Sequence, residues 1–117
     1  MGNGVAEGFN PEKKPKKREF KIEDYLKKQV EKIGGKCYKF VSPGYDGMPD
    51  RIIMFRGCLV FVETKRPGGK LRGLQYQRLA EIANQQIPTA VVSTKEEADK
   101  VVQELFRAGM ESFACHE

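Results

Sequence analysis

The spacing of apolar residues along the chain changes from a helical period to strand-like runs and back, which indicates a mixed α/β domain. From Lys21 onward, apolar residues recur at intervals of three and four, and Gly34-Gly35 supplies a left-handed stop, so the sequence predicts a first helix. Residues 36–41 (KCYKFV) then predict a strand, and the following SPGYDGMP predicts a loop. The apolar residues of the first helix are Ile22, Tyr25, Leu26, Val30 and Ile33.

Two apolar runs in the middle of the chain, residues 51–55 and 58–65, are separated only by Arg56-Gly57, which indicates a tight hairpin. Both runs are apolar at successive positions, so both of their faces are expected to be covered by helices. The sequence RPGGKLRG, which follows the second run, predicts a loop.

Helical spacing returns after this loop. Residues 74–85 predict a second helix, which Pro88 ends, and residues 89–93 predict a short strand. The buried face of the second helix is expected to contain Leu79, Ile82 and Ala83.

A third helix is predicted after the last strand. Ser93 or Thr94 can cap its start. Glu96 or Glu97 would then occupy the reciprocal position of a capping box. Gly109 is expected to close this helix. Its buried stripe is expected to contain Ala98, Val101, Val102 and Leu105.

The composition of the chain is that of one small domain. Its 117 residues are 39% apolar, which suffices for one modest core. Residues 1–19 are rich in Gly, Pro and Lys and predict a flexible basic arm, which either contacts phosphates or is simply a solvated tail. The domain is expected to span residues 20–108, and residues 109–117 are expected to form a tail.

The net charge indicates the kind of binding partner, and the cysteine content indicates the cellular compartment. The net charge of +5 favours a polyanionic partner, although ordinary solubility would also explain it. The three cysteines are odd in number and widely spaced, which predicts free thiols in a reducing compartment. No apolar run is long enough for a membrane span or a signal peptide, so a cytoplasmic protein with no membrane partner is expected. His116 is the single histidine, which excludes a histidine base and multi-histidine zinc sites.

The hairpin places unusual charges at the end of an apolar strand. If Arg56 and Gly57 form the loop, continued pairing sets Asp50 opposite Glu63, and strand alternation puts Lys65 beside Glu63. A four-residue loop gives the same pairing, whereas an odd loop or a bulge would break it. Two opposed carboxylates repel each other unless a positive charge lies between them.

These three charged residues suffice in principle for phosphodiester hydrolysis. Carboxylates and a nearby backbone carbonyl are ligands of the kind that Mg²⁺ accepts. Lys65 could orient or deprotonate the attacking water, or stabilise the charge that develops on the phosphate. The alternative is that Asp50 caps a strand start while Glu63 and Lys65 form a solvent-facing pair.

At this point the sequence resembles a known family. Pro49-Asp50, followed by Glu63-Thr64-Lys65, is similar to the signature of the PD-(D/E)xK nuclease superfamily. With the GMPD and ETKRPGGK runs, the helical Gln75 and the VVSTKEEA segment, residues 20–106 resemble the VRR-NUC (virus-type replication-repair nuclease) domain. The resemblance implies a restriction-endonuclease-like α-β-β-β-α-β core, with a central mixed sheet flanked by helices and a C-terminal helix.

The resemblance also assigns roles to individual residues. Asp50, Glu63 and the backbone carbonyl of Thr64 would bind the metal, Mg²⁺ or Mn²⁺. Lys65 would be the catalytic lysine. The other implied catalytic or supporting residues are Glu23 and Gln75.

Some of these residues also have an alternative interpretation or depart from the family pattern. Glu23 could instead be an exposed helix charge spaced to pair with Lys27, and Gln75 an ordinary surface residue. Members of the family usually carry a small or capping residue such as Ser where this chain has Gly73, which weakens the expected helix cap. Gly68-Gly69-Lys70 could approach a phosphate or form a plain turn, but it lacks the remaining residues of a P-loop.

The expected substrate is DNA. Contacts between basic side chains and the DNA backbone carry no sequence information. The chain is also too short for an evident domain that would recognise a specific sequence. Similar stand-alone proteins act as homodimers on branched DNA such as four-way (Holliday) junctions, in bacterial or phage-infected cells. The alternatives are a non-catalytic DNA-binding module of the same fold and a sequence-specific restriction-type endonuclease. The positive residues expected to contact DNA are Lys27, Lys28, Arg66, Lys70 and Arg72.

Overall fold

The computed structural model describes the backbone of residues 20–115 and the side chains of residues 20–112. The predicted arm, residues 1–19, and His116 lie outside the described residues. The element order confirms the predicted α-β-β-β-α-β core with an additional C-terminal helix. The elements are α1 (Ile22–Lys32), β1 (Lys36–Lys39), β2 (Arg51–Phe55), β3 (Cys58–Thr64), α2 (Gly73–Asn84), β4 (Thr89–Val92) and α3 (Lys95–Cys115).

The strands form one mixed sheet in the order β1-β2-β3-β4. β1 pairs with β2 and β2 with β3 in antiparallel fashion, whereas β3 and β4 are parallel. Phe55 faces Cys58 across the hairpin, as the two-residue loop predicts. Arg56 and Gly57 have φ values of 46° and 84°, which are typical of the turns that match the twist of a hairpin.

One face of the sheet carries the hydrophobic core. α1 and α3 pack together over this face, where strand alternation presents Ile53, Phe55, Val60 and Val62. Burying these apolar side chains between the helices and the sheet supplies the main stabilisation of the domain. The helical residues of the core are Ile22, Leu26, Val30, Ala98, Val101, Val102 and Leu105.

The opposite face is covered only in part, which corrects the expectation that helices bury both faces. α2 lies on this side, and its Gln75 is bonded to Glu63 of β3. The apolar residues that alternation presents here are all half-buried rather than buried. They are Ile52, Met54, Leu59 and Phe61.

The start of α3 confirms the predicted capping box. The Thr94 hydroxyl accepts a hydrogen bond from the Glu97 backbone N–H at 3.1 Å, and the Glu97 carboxylate accepts one from the Thr94 N–H at 3.2 Å. The prediction that Gly109 closes the helix is wrong, because α3 continues through it. Gly109 packs against Phe55, where even one added carbon would clash with the ring, so tertiary contact rather than helix termination explains this glycine.

None of the helices within residues 20–115 combines the length and the apolar character needed to cross a membrane. Cys37 is buried and Cys58 half-buried, and both thiols are free. Burial raises the pKa of the Cys37 thiol, which agrees with the interpretation of this residue as a small core hydrophobe.

Candidate active site

Asp50 lies just before β2, at the end of the loop that follows β1. Its carboxylate accepts hydrogen bonds from the Thr64 backbone N–H at 2.9 Å and from the Thr64 hydroxyl at 2.6 Å. The Arg51 guanidinium lies 3.5 Å from the same carboxylate. These contacts fix the Asp50 side chain against the last residue of β3.

Glu63 is the buried acid of the site, with only 6% of its surface exposed. Its carboxylate accepts a hydrogen bond from the Gln75 amide at 2.9 Å and lies 3.7 Å from the Lys65 ammonium. Burial raises the pKa of Glu63, and the neighbouring charge of Asp50 raises it further. Lys65 and the Asp50 backbone N–H act in the opposite direction. The uncompensated negative charge at this position is therefore costly.

The two acids are close together, but they are oriented differently. Strand alternation places Glu63 and Lys65 side by side, as expected. The Asp50 carboxylate instead turns to Thr64, whose side chain belongs to the other face of β3. The Asp50 backbone N–H nevertheless donates to the Glu63 carboxylate, so the charges of the two acids still interact. Because β2 begins only at Arg51, the preceding Asp50 side chain does not have to follow the alternation of the strand.

Gln75 connects Glu63 to the start of α2. Its side-chain oxygen accepts a hydrogen bond from the Arg72 backbone N–H at 2.9 Å, while its amide nitrogen donates to Glu63. With 8% exposure it is a buried polar residue, not the surface residue that the pattern alone suggested. Gln75 therefore bonds the backbone of the N-cap residue Arg72, which immediately precedes Gly73.

A cavity of about 690 Å³ opens beside the strand ends. It is lined by Glu23 of α1, by Asp50, and by Lys65 and Arg66 beyond β3. Glu63 is not among its lining residues, although its carboxylate lies 3.7 Å from the ammonium of Lys65, which is one of them. The cavity thus brings together Glu23, Asp50 and Lys65, which are far apart in the sequence.

The oxygen donors at the strand ends are of the chemical type that a small divalent cation takes, although Glu63 does not line the cavity. Asp50 is open to the cavity, Glu63 carries a destabilised charge, and Thr64 adds a backbone carbonyl at the strand end. Within residues 20–112, no three acidic, histidine or cysteine side chains converge closely enough to hold one ion. Water and phosphate would have to complete the shell, which is the usual situation for Mg²⁺.

The residues expected to contact DNA are spread over the cavity, a neighbouring groove, α1 and the start of α2. Arg66 lines the cavity, and Lys70 lines a separate groove that Lys65 also lines. Lys27 and Lys28 are exposed on α1, and the Lys27 ammonium lies 4.0 Å from Glu31 rather than pairing with Glu23. The fifth residue, Arg72, is exposed at the start of α2.

Sequence reasoning missed an arginine that fixes the loop before Asp50. The Arg78 guanidinium lies 3.7 Å from the centre of the Tyr45 ring, and its Nε donates to the Asp46 carbonyl at 2.9 Å. Arg78 also pairs with Glu81, one turn further along α2. No local signal marks the loop contacts of Arg78, since Tyr45 and Asp46 lie more than thirty residues away along the chain.

The fold and site together define a class of protein, an α/β domain with a PD-(D/E)xK arrangement at the strand ends. Over 66 residues the chain is 47% identical to "Putative nuclease p44" of Acyrthosiphon pisum secondary endosymbiont phage 1, a match that covers 56% of the chain and 71% of that protein. A solved structure of a "VRR_NUC domain" is similar with a TM-score of 0.66 and 26% identity, over 70% of this chain and 90% of the other. No family model matches. The chain belongs to the VRR-NUC nuclease family.

Proposed function

We propose that this protein is a metal-dependent, structure-selective DNA endonuclease that hydrolyses phosphodiester bonds in branched DNA such as four-way junctions. The observation that carries the proposal is the position of Lys65. Its ammonium contacts the buried Glu63 and lines the cavity that also contains Asp50. The VRR-NUC membership supports the same chemistry.

In this mechanism the residues of the chain hold and orient the reacting groups. Asp50, Glu63 and the Thr64 carbonyl would hold Mg²⁺ or Mn²⁺, which supplies Lewis-acid stabilisation of the phosphate and lowers the pKa of a water. Lys65 orients the attacking water or stabilises the negative charge that develops on the phosphate oxygens. Because the ammonium is already fixed beside Glu63, little reorganisation is needed during the reaction.

Two further residues support this arrangement. Gln75 holds the Glu63 carboxylate in one orientation through its amide, and its own orientation is fixed by Arg72. Glu23 lines the cavity near Asp50 and would orient water there. The positive groups Arg66 and Lys70 contact the DNA backbone, with Lys27, Lys28 and Arg72 further from the site.

The preference for branched DNA and the dimeric state belong to the same proposal. A small chain with backbone contacts recognises the shape of DNA more readily than a long sequence. Two copies related by a two-fold axis would present two sites and make paired cuts across a junction. The enzyme would act in the cytoplasm of a bacterial or phage-infected cell.

The test is incubation of the purified protein with labelled four-way junction, flap and linear duplex, with and without Mg²⁺ or Mn²⁺. We expect cleavage of the branched substrates only with metal. Lys65→Ala and Asp50→Asn should each lower the rate by at least about 100-fold, whereas Lys100→Ala, a control at an exposed position on α3, should cleave normally. Circular dichroism establishes that each variant is folded.

Other results would contradict particular parts of the proposal. Binding without cleavage by the wild type would indicate a non-catalytic DNA-binding module. Discrete cut sites on linear duplex would indicate a restriction-type enzyme. A strictly monomeric protein that cuts linear duplex as well as junctions would exclude both the dimer and the preference for branches.

A further inference from the structure

A second groove, of about 590 Å³, shares the lining residue Lys65 with the catalytic cavity. Among the described residues, Lys65 is the one that lines both the cavity and this groove. A DNA strand that places a phosphate at Lys65 would therefore have its neighbouring nucleotide near this second space. We refer to it as the α2 groove, lined by Lys65, Lys70, Leu71, Tyr76, Val91 and Ser93.

Tyr76 is the aromatic side chain of this groove, and it is unusually exposed. It lies in the first turn of α2 with 62% of its surface open to solvent. Val91, 40% exposed, and the half-buried Leu71 add apolar surface beside it. A flat ring with apolar neighbours suits the face of a nucleobase, because bases stack on aromatic side chains regardless of their identity.

The charge of the α2 groove differs from that of the catalytic cavity. The cavity contains the acids Glu23 and Asp50, whereas no acidic side chain of the described residues lines the α2 groove. The charged side chains that line the α2 groove are those of Lys65 and Lys70. A polyanionic strand can therefore enter the groove without an added cation, and its phosphate is attracted by Lys70.

We propose that the α2 groove binds one unpaired nucleotide of the DNA strand that is cut, with the base stacked on Tyr76 and the phosphate beside Lys70. The inference rests on the proposed function, because Lys65 connects the groove to the site of hydrolysis. The inference narrows the proposed substrate to branched DNA with an unpaired nucleotide next to the phosphate that is cut. In fully paired duplex the base is stacked on its neighbours and is not free to enter the groove.

The experiment measures binding without hydrolysis. A flapped DNA with 2-aminopurine at successive unpaired positions is titrated with protein in EDTA, and a fully paired duplex serves as the second ligand. The chain contains no Trp, so the emission of 2-aminopurine is observed without interference. The variants are Tyr76→Ala and Tyr76→Phe, with Tyr38→Ala as the control at a similarly exposed tyrosine on β1.

We expect the wild type to quench one unpaired 2-aminopurine strongly. Tyr76→Ala should weaken binding of the flapped DNA by about tenfold or more and remove the quenching, but it should leave binding of the paired duplex within twofold. Tyr76→Phe should behave like the wild type, since stacking needs the ring and not the hydroxyl. Lys70→Ala should reduce the slope of log affinity against log salt by about 0.7.

Three results would overturn the inference. These are unchanged affinity in Tyr76→Ala, equal losses on flapped and paired DNA, and an equal loss in Tyr38→Ala. Failure of the proposed function gives a different result, namely Tyr76-dependent binding in EDTA with no hydrolysis when Mg²⁺ is restored. Hydrolysis that depends on Lys65 but not on Tyr76 would retain the nuclease and reject the groove. Thermal unfolding of each variant separates loss of binding from loss of folding.

Discussion

Strand β3 passes from the hydrophobic core to the candidate active site within two residues, and burial hardly changes along the way. Val62 is fully buried among apolar side chains, and the following Glu63 and Thr64 are 6% and 8% exposed. The core residue needs no partner beyond packing. The two polar residues require specific donors and acceptors, because a buried polar group without partners costs several kcal/mol.

This difference shows what each end of the strand contributes. At the core, α1 and α3 cover the sheet and stabilise the domain. At the site, the Gln75 amide and the Lys65 ammonium satisfy Glu63 only in part, since its pKa remains raised. The charged end of the strand thus lowers the stability of the folded domain, which is the pattern expected of a functional site. Substitutions at the two ends should consequently have opposite effects on stability and activity.

The largest effect is expected for Glu63→Gln, which keeps the shape of the side chain and removes its charge. Cleavage should fall by at least about 100-fold, because the proposed metal site would lose a ligand. Without metal the melting temperature should rise, since the folded protein disfavours the charged carboxylate. Rates with Mg²⁺ and thermal unfolding in EDTA measure the two quantities. Glu104→Gln, at an exposed glutamate of α3, serves as the control and should change neither.

The sign of the pH dependence follows from the same contacts. Because the pKa of Glu63 is raised, its contribution to stability is present below the ordinary value of 4.5 and is lost as the pH rises through the folded pKa. The wild type in EDTA should lose stability across this range relative to Glu63→Gln. A parallel pH dependence of the two proteins would contradict the assignment of Glu63 as a strained buried acid.

At the core end, Leu26→Ala should have the reverse pattern. Leu26 is fully buried on α1, so the cavity left by its truncation should lower the free energy of unfolding by about 2–5 kcal/mol. The catalytic rate of the protein that remains folded should be close to that of the wild type. Urea unfolding and cleavage under native conditions test the two statements. Truncation of the partly exposed Leu74 should cost clearly less, and equal losses would argue against the assigned core.

The hairpin shows how far sequence reasoning extends. The short Arg56-Gly57 turn and the two apolar runs predict the strands, and the observed pairing of Arg51 with Val62 and Phe55 with Cys58 follows from the turn alone. This succeeds because a two-residue turn fixes the register of every following pair. The packing of Glu63 beside Lys65 follows from the same alternation.

The sequence pattern does not specify local features that depend on contacts with residues far away in the chain. The Asp50 carboxylate turns to Thr64 because Asp50 precedes the first residue of β2, so strand alternation does not specify its direction. Gly109 resembles a helix stop, yet contact with Phe55 explains it. The burial of Gln75 depends on where α2 lies relative to β3, which no local pattern specifies.

The glycines of the two helices provide a matched test of packing against propensity. A methyl group at Gly109 would lie 2.9 Å from the Phe55 carbonyl oxygen and closer still to the ring, so Gly109→Ala should destabilise by about 1–3 kcal/mol. At Gly73 no described atom lies within 4 Å of the added methyl, so Gly73→Ala should stabilise by about 0.4–1 kcal/mol. Chemical denaturation compares them. Stabilisation by both substitutions would show that Gly109 is not constrained by packing.

The smallest effect is expected at the start of α3, where a carboxylate is fully compensated, in contrast to Glu63. Hydrogen bonds from the Ser93 backbone N–H and hydroxyl, at 2.8 and 2.9 Å, lower the pKa of Glu97. Its contribution to stability is therefore present above the ordinary value of 4.5 and is lost as the pH falls through the lower folded pKa.

Glu97→Gln should accordingly lower the free energy of unfolding at neutral pH by no more than about 0.5 kcal/mol, since solvent screens this exposed position. The difference from the wild type should disappear in acid, because both side chains are then neutral. For Glu63→Gln in EDTA the difference has the opposite sign and likewise vanishes at low pH. Unfolding curves at several pH values measure both differences. If the two variants deviated from the wild type in the same direction, the contrast between a compensated cap and a strained buried acid would be lost.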